Sequence, residues 1–295
     1  GMCVQKGKKN RKKHVVNDIV FEGGSNPGMR MPGLRDSSLE GAAPDVLIIG
    51  GGISGASIAR ELSRWQLDIL LVEKEADLAV QSSGRNDGEV HPGVDLRKGS
   101  LKQEYVLKGN RMYDQICEEL DVPFRRCGQY VGFTQWRYLP VIFLYVLEKK
   151  YRCKVKDTRL VGRKAFRRAE PELNPDFKFA IYNPGAGCVC PYGLTIAYGE
   201  NAVENGARIS LNTAVSDMEV KEGIIQCVHT NRGSIYPSLV INAAGTFAED
   251  VAKMAQDRFY SIHPRRGTNS ILDKKAGHLV RSISSVRTMK KTTGH

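Results

Sequence analysis

The 295 residues are 41% hydrophobic and 26% charged, apolar content enough for a large core in one large domain or two ordinary ones, which excludes a disordered chain. The formal net charge of +12 belongs to the ends. Lys6, Lys8, Lys9, Arg11, Lys12 and Lys13 precede every acid, and Lys274, Lys275, Arg281, Arg287, Lys290 and Lys291 follow the last one, so residues 14–273 are formally neutral and nucleic acid is excluded as the main partner.

Residues 1–43, rich in Lys, Gly, Asn, Ser and Pro, carry no sustained helical or strand period and read as a disordered basic lead, dispensable for folding. Asp45 to Ile49 reads as a buried strand, Ile53 to Trp65 as a helix and Ile69 to Val72 as a second strand ending at Glu73. Such a βαβ unit makes its two strands parallel. Leu101 to Leu120 predicts a helix, Tyr130 to Thr134 a strand, and Leu139 to Arg152 a helix dominated by Leu, Val, Ile and Phe. Residues 178–182 predict a strand, Leu194 to Asn205 a helix closed by Gly206, and Arg208 to Leu211 the strand after it. Val215 to Val220 and Ile224 to Thr230 pair as a hairpin over Lys221-Glu222-Gly223, and Ser238 to Asn242 is one more buried strand running into Ala243-Ala244-Gly245.

Seven cysteines, an odd number thinly spread, suit reduced thiols in a cytoplasmic protein better than a disulfide framework. Cys188 and Cys190 stand one residue apart with no second Cys or His cluster to complete a zinc site, so no metal is expected. The basic N-terminus is not followed by an apolar stretch of signal-peptide type. The most apolar run, Leu139 to Leu147, is far shorter than the about 20 residues that cross a bilayer, so no transmembrane segment is expected.

The motif that carries chemistry is Gly50-Gly51-Gly52-Ile53-Ser54-Gly55, a G-x-G-x-x-G match at Gly50, Gly52 and Gly55. The first glycine makes a tight turn, the second lets a pyrophosphate approach the backbone, and the third lets the helix pack closely on the strand. The helix N-terminus, at Ile53 and Ser54, offers N–H groups and a positive dipole end to phosphates. Glu73, beside Lys74 at the end of the second strand, stands where a carboxylate accepts both ribose hydroxyls. Strand, turn, helix and acid together predict a dinucleotide site. Beyond Lys74 the chain runs through Ser82-Ser83-Gly84-Arg85-Asn86-Asp87-Gly88 to His91-Pro92-Gly93, a polar glycine-rich loop where an NAD domain usually continues with another strand and helix.

With that loop the sequence resembles the D-amino acid oxidase superfamily of FAD enzymes, and within it the anaerobic-type glycerol-3-phosphate dehydrogenases. The likeness runs over about residues 44–280. It is carried by Asp45 to Lys74, Gly99 to Lys102, Gly109 to Tyr113, Glu118 to Pro123, Gly187 to Thr195, Glu200 to Ala202, Ile241 to Gly245 and His263 to Gly267. The resemblance implies FAD, with Gly50, Gly52, Gly55 and Glu73 at the adenosine and pyrophosphate and Ser83, Gly84 and Asn86 in the flavin loop. It places Val215 beside the adenine, Ala244 and Gly245 at a second strand end against the cofactor, and His91, Arg265 and Arg266 toward the flavin ring and substrate. The reaction it implies is oxidation of a secondary alcohol, with hydride passing to the flavin, a base taking the hydroxyl proton, and an external acceptor reoxidising the flavin. The donor is expected to be anionic, glycerol 3-phosphate or a 2-hydroxy acid; the alternative to a glycerol-3-phosphate dehydrogenase-like enzyme is a 2-hydroxy acid or amine oxidase of the same superfamily, or an inactive truncated FAD-binding chain.

By chemistry alone His91 could take a hydroxyl proton or simply pack its loop, and Arg265 and Arg266 could hold an anion or form surface ion pairs. Asp87 near a pyrophosphate is electrostatically unhelpful. The expected fold is α/β: a three-layer, Rossmann-like FAD domain from residues 44–98 and 188–250, with an inserted α+β substrate region at 99–187 and 251–279. The resembled family continues past Leu279, whereas residues 280–295 read as a disordered tail, so the fold is expected to be truncated.

Overall fold

The computed structural model describes residues 38–155 and 157–286. In chain order they form β1 (Val46–Ile49), α1 (Ile53–Leu62), β2 (Ile69–Val72), β3 (Glu89–Val90), α2 (Leu101–Glu119), β4 (Phe124–Arg125) and β5 (Gln129–Phe133). Then come α3 (Leu139–Leu147), β6 (Arg159–Gly162), α4 (Arg163–Ala169), β7 (Phe179–Asn183), β8 (Gly187–Val189), α5 (Pro191–Glu204) and β9 (Arg208–Ser210). The chain ends with β10 (Val215–Lys221), β11 (Ile224–Thr230), β12 (Gly233–Ile235), β13 (Leu239–Asn242), α6 (Ala248–Met254) and β14 (Ile283–Val286). The described residues divide into two compact units, one comprising those up to Asp87 with Glu119–Val122 and Cys190–Thr268, the other Gly88–Glu118, Pro123–Val189 and those from Asn269 on.

The first unit has three layers around a parallel sheet in the order β13-β1-β2-β9. β1 and β2 are buried at every position, as continuous apolar runs are when both faces of a sheet are covered. Val46, Ile48, Ile69 and Leu71 face the helical layer and meet Ala59 of α1 and Ala202 and Val203 of α5. Leu47, Ile49, Leu70 and Val72 face the other way, onto Met218, Val228 and Ile235 of the antiparallel sheet β10-β11-β12 and Val251 of α6. β10 and β11 join through Glu222 and Gly223, both at positive φ (51° and 76°), the backbone that a two-residue hairpin loop requires. Arg60 of α1 is buried at 5% exposure, and its guanidinium is satisfied by Asn201 Oδ1 at 2.9 Å and Glu119 Oε2 at 2.7 Å.

The second unit holds two sheets, β14-β5-β7-β6 and β3-β8-β4. Phe133, Phe179 and Ile181 of the first sheet pack with Val146 of α3, and Phe166 of α4 packs with Phe177 and Ala180. The predicted helix at 139–152 is α-helical through Leu147 and continues as a π-turn over Glu148–Arg152.

Three expectations change. Residues 38–43 are not part of a structureless lead: Leu39 is buried, its N–H donates to Arg232 O at 2.8 Å, Gly41 N–H donates to Ser234 O at 2.9 Å, and Ala42 bridges Ile235. One apolar residue against a strand edge creates no period for sequence reading to find; residues 1–37 lie outside the described residues. The tail expected from 280 begins instead with β14, parallel to β5, where Ser282 Oγ donates to Glu170 Oε1 at 2.5 Å and Arg281 N–H to Oε2 at 3.0 Å. Residues 287–295 of that tail lie outside the described residues. The unit boundaries also shift: residues 88–98 belong to the second unit, and 251–268 to the first, because α6 closes the core beneath β10. Leu39→Ala should therefore cost about 2 kcal/mol in urea denaturation, the low end of the range for a buried leucine; an unchanged midpoint would remove residues 38–43 from the core.

Candidate functional site

The carboxyl ends of β1, β2 and β13 converge on a cavity of about 250 Å³. It is lined by Gly50, Gly52 and Ser54 from the first turn, Glu73 and Lys74 after β2, Ser82 and Ser83, Thr213 to Val215 before and at β10, and Ala243 to Phe247 after β13. Parallel α/β sheets bind ligands at this edge, outside the carboxyl ends of their strands.

Local chemistry builds each wall. Gly50 adopts φ +112°, and a Cβ there would lie 2.5 Å from Ala243 O, so the turn admits neither the conformation nor the volume of another residue. A Cβ on Gly55 would lie 1.9 Å from Gly50 O, which is how closely α1 sits on the end of β1. α1 has Gly52 as its N-cap and no acid in its first turn, so no carboxylate of that turn offsets the positive dipole end. Ser83 Oγ accepts from Ile53 N–H at 3.0 Å, and Asn86 Nδ2 donates to Ser82 O and Ser83 O at 3.0 and 2.9 Å, holding the 82–88 loop at the helix start. Gly84 packs against Ala79 O, 2.2 Å from where its Cβ would be.

Glu73 is half-buried. Its Oε2 accepts from Gly51 N–H at 2.5 Å and its Oε1 from Glu75 N–H at 2.9 Å, while its own carbonyl accepts from Thr213 N–H at 2.7 Å. Each carboxylate oxygen retains a lone pair, so two ribose hydroxyls can still be accepted. Lys74 Nζ lies 3.4 Å from the centroid of the Phe247 ring. Beside the loop, the Tyr192 hydroxyl donates to Asp77 Oδ2, a bond that, with burial, pushes the phenol from its ordinary value near 10 to about 12.

The sequence-predicted residues divide into three groups. Gly50, Gly52, Ser54, Glu73, Lys74, Ser83, Val215, Ala244 and Gly245 line the one cavity. Ile53, Gly55, Gly84 and Asn86 shape its turn and loop without lining it, and Asp87 is exposed. His91 lies in the second unit, with Nδ1 accepting from Gly93 N–H at 2.8 Å and Nε2 paired with Asp95 Oδ1 at 2.9 Å, whereas Arg265 and Arg266 are exposed in coil of the first unit. Cys190 caps α5, its Sγ accepting from Gly193 N–H at 3.4 Å, and Cys188 Sγ lies 3.5 Å from Cys127 Sγ. Sequence reading missed Thr213, Phe247 and Asp250 as cavity walls, for they follow strand ends with no motif of their own.

A three-layer unit with a glycine turn, an acid after β2 and a cavity at the strand ends is a dinucleotide-binding fold. Residues 45–294 match the FAD dependent oxidoreductase family (DAO), and the chain belongs to that family. It is 36% identical to a glycerol 3-phosphate dehydrogenase of Caloramator mitchellensis, over 81% of this chain and 49% of that protein. It is 30% identical to a mitochondrial L-2-hydroxyglutarate dehydrogenase of Nematostella vectensis, over 80% of this chain and 55% of that protein. The L-alpha-glycerophosphate oxidase of Mycoplasma pneumoniae, solved with FAD bound, superposes with a TM-score of 0.65 at 25% identity, covering 72% of this chain and 57% of that one. The chain thus spans about half the length of the curated relatives it matches. No described helix is long and apolar enough to cross a membrane.

Two substitutions separate packing from ligand contact. Gly55→Ala must push α1 off β1 and should cost about 2–3 kcal/mol in urea denaturation, whereas Gly52→Ala meets the movable Ser83 hydroxyl at 2.9 Å and should cost less than half as much. Equal losses would contradict the packing argument. For Tyr192 the folded pKa is raised, so its contribution to stability is complete below about pH 10 and is lost as pH rises through about 12. Phenolate absorbance should include a tyrosine titrating near pH 12, and Asp77→Asn should return that one toward the ordinary range.

Proposed function

We propose that this chain holds the adenosine and pyrophosphate of FAD in the cavity of the first unit, and that the protein oxidises a small anionic secondary alcohol. Glycerol 3-phosphate and 2-hydroxy acids are the donor classes, since relatives named for each are 36% and 30% identical over 81% and 80% of this chain. The observation that carries the cofactor reading is Glu73, anchored through both oxygens to the backbone of Gly51 and Glu75 yet with an acceptor lone pair left on each. With Gly50 and Gly52 baring the backbone and Ser54 at the start of α1, that carboxylate grips a ribose while the turn meets the diphosphate. The cavity is below the about 300 Å³ at which drug-sized pockets begin, a size for one half of a dinucleotide.

The bound flavin supplies the acceptor for the hydride, and an external acceptor takes the electrons onward. In the second unit His91 is the candidate base. Asp95 fixes its tautomer: with Nε2–H donated to that carboxylate, Nδ1 carries the lone pair, now engaged by Gly93 N–H. Proton abstraction by Nδ1 therefore requires that it exchange Gly93 for the substrate hydroxyl. Arg265 and Arg266, adjacent and exposed, are the candidate anion holders. The unpaired thiols of Cys117, Cys153 and Cys227 fit a reducing compartment such as the cytoplasm.

FAD should raise the melting temperature in a thermal-shift titration and NAD should not, since a ligand of the native state must stabilise it. Glu73→Gln should weaken FAD binding about tenfold to a hundredfold, the worth of a charged hydrogen bond. Stabilisation by NAD alone would overturn the cofactor reading. With FAD loaded and oxygen excluded, glycerol 3-phosphate or 2-hydroxyglutarate should bleach the flavin absorbance; bleaching by amino acids and by neither alcohol would move the donor to the amines.

A further inference from the structure

The antiparallel sheet of the first unit has two faces, and the cavity uses one. Met218, Val228 and Ile235 point into the core. Strand alternation and the pairings Glu219↔Cys227, Asp217↔His229 and His229↔Ser234 put Glu219, Cys227, His229 and Ser234 together on the opposite face. There the His229 ring is held at both nitrogens: Nε2 lies 2.9 Å from Glu219 Oε1, and Nδ1 lies 3.1 Å from Ser234 Oγ and 3.9 Å from Cys227 Sγ. One sulfur, one imidazole nitrogen and one carboxylate oxygen fall within 4.8 Å of one another.

We propose that Glu219, Cys227 and His229 form a binding site for a zinc-class divalent cation, outside the dinucleotide cavity. A surface ion pair between Glu219 and His229 accounts for two of the three, and exposed pairs of that kind contribute little. It does not account for a thiol that is only 1% exposed on the face turned away from the core and lies against both this ring and the Tyr236 hydroxyl. Thiolate, imidazole and carboxylate are the donor types zinc takes, at about 2.3 Å for sulfur and about 2.0–2.1 Å for nitrogen and oxygen. A tetrahedral ion with those lengths sets sulfur and nitrogen about 3.5 Å apart, so Cys227 and His229 need to close by only a few tenths of an ångström. Glu219 supplies the adjustment: its side chain is 64% exposed and can swing an oxygen onto the ion, with the fourth position left to water. An ion on Nδ1 takes the lone pair that Ser234 Oγ now faces, so Ser234 gives up that contact, and Nε2, released as Glu219 swings, keeps its N–H for solvent.

Cobalt(II) is the probe, since its thiolate complexes absorb where the protein does not. The full chain, stripped with chelator and titrated with cobalt(II), should develop a thiolate-to-cobalt charge-transfer band that saturates at a single equivalent, and zinc should bleach it. Cys227→Ser should abolish the band, and Cys188→Ser, which alters the separate Cys127 and Cys188 pair, should leave it intact. Glu219→Gln changes an exposed side chain that the fold does not need and should weaken binding at least about tenfold. No band in the unaltered chain, a band surviving Cys227→Ser, a band lost in Cys188→Ser, or an affinity unmoved by Glu219→Gln would each overturn the site.

Discussion

The first unit depends on one close approach, that of α1 to the end of β1. The carbonyl oxygen of Gly50 occupies the space where residue 55 would carry a Cβ, and only glycine lets the helix start so near the strand. Once α1 starts there its axis is directed, its positive end opens on the strand ends, and its Ala56 and Ala59 are buried at zero exposure, Ala59 against the sheet. The same approach sets the neighbours. A helix held that tightly on β1 brings Gly50 under Ala243, just past the end of β13, and the 82–88 loop can then reach back to cap Ile53 through Ser83.

Glu73 is the second anchor and works by a different force. A carboxylate that accepts two backbone N–H groups is strongly fixed, because hydrogen bonds to an ionised acceptor are about twice as strong as neutral ones. By binding Gly51 across the turn and Glu75 after it, and by receiving Thr213 on its carbonyl, residue 73 ties the ends of β1 and β2 to the segment leading into β10. Under the proposed FAD reading, a ribose would therefore meet an acid whose position the backbone has already set, with little ordering of that side chain left for binding to do.

What was legible in the sequence follows from the range of the forces involved. β2 and β11 were read at their observed limits, and β1, β10 and β13 to within a residue, because continuous apolar runs, strict alternation and a Glu-Gly turn are local signals. The cavity's glycines and its acid were legible for the same reason, as each performs a job that its own residue type makes necessary. β14 was not legible: four residues of Ile-Ser-Ser-Val become a strand through β5 and through Glu170, more than a hundred positions away, which holds Ser282. Leu39 escaped notice likewise, since a single side chain has no period. Cys190 was invisible as a helix cap because sulfur stands where oxygen usually does. The proximity of Glu219, Cys227 and His229 depends on hairpin register, and one slipped residue would send each to the other face.

Charge in the cavity narrows how a diphosphate can be held there. Among the described residues that line it, Lys74 is the one cation, against the carboxylates of Glu73 and Asp250, and its ammonium already rests on the Phe247 ring. Side-chain charge therefore opposes an anion rather than attracting it. What remains is backbone: the turn at Gly50 and Gly52, and an α1 terminus whose macrodipole is equivalent to about half a positive charge. Such groups are fixed before the ligand arrives and act only over hydrogen-bonding distance, so they recognise the placement of phosphate oxygens more than their charge. As the proposed ribose acid, Glu73 would repel a nucleotide bearing a 2′-phosphate and would accept one whose hydroxyls are free.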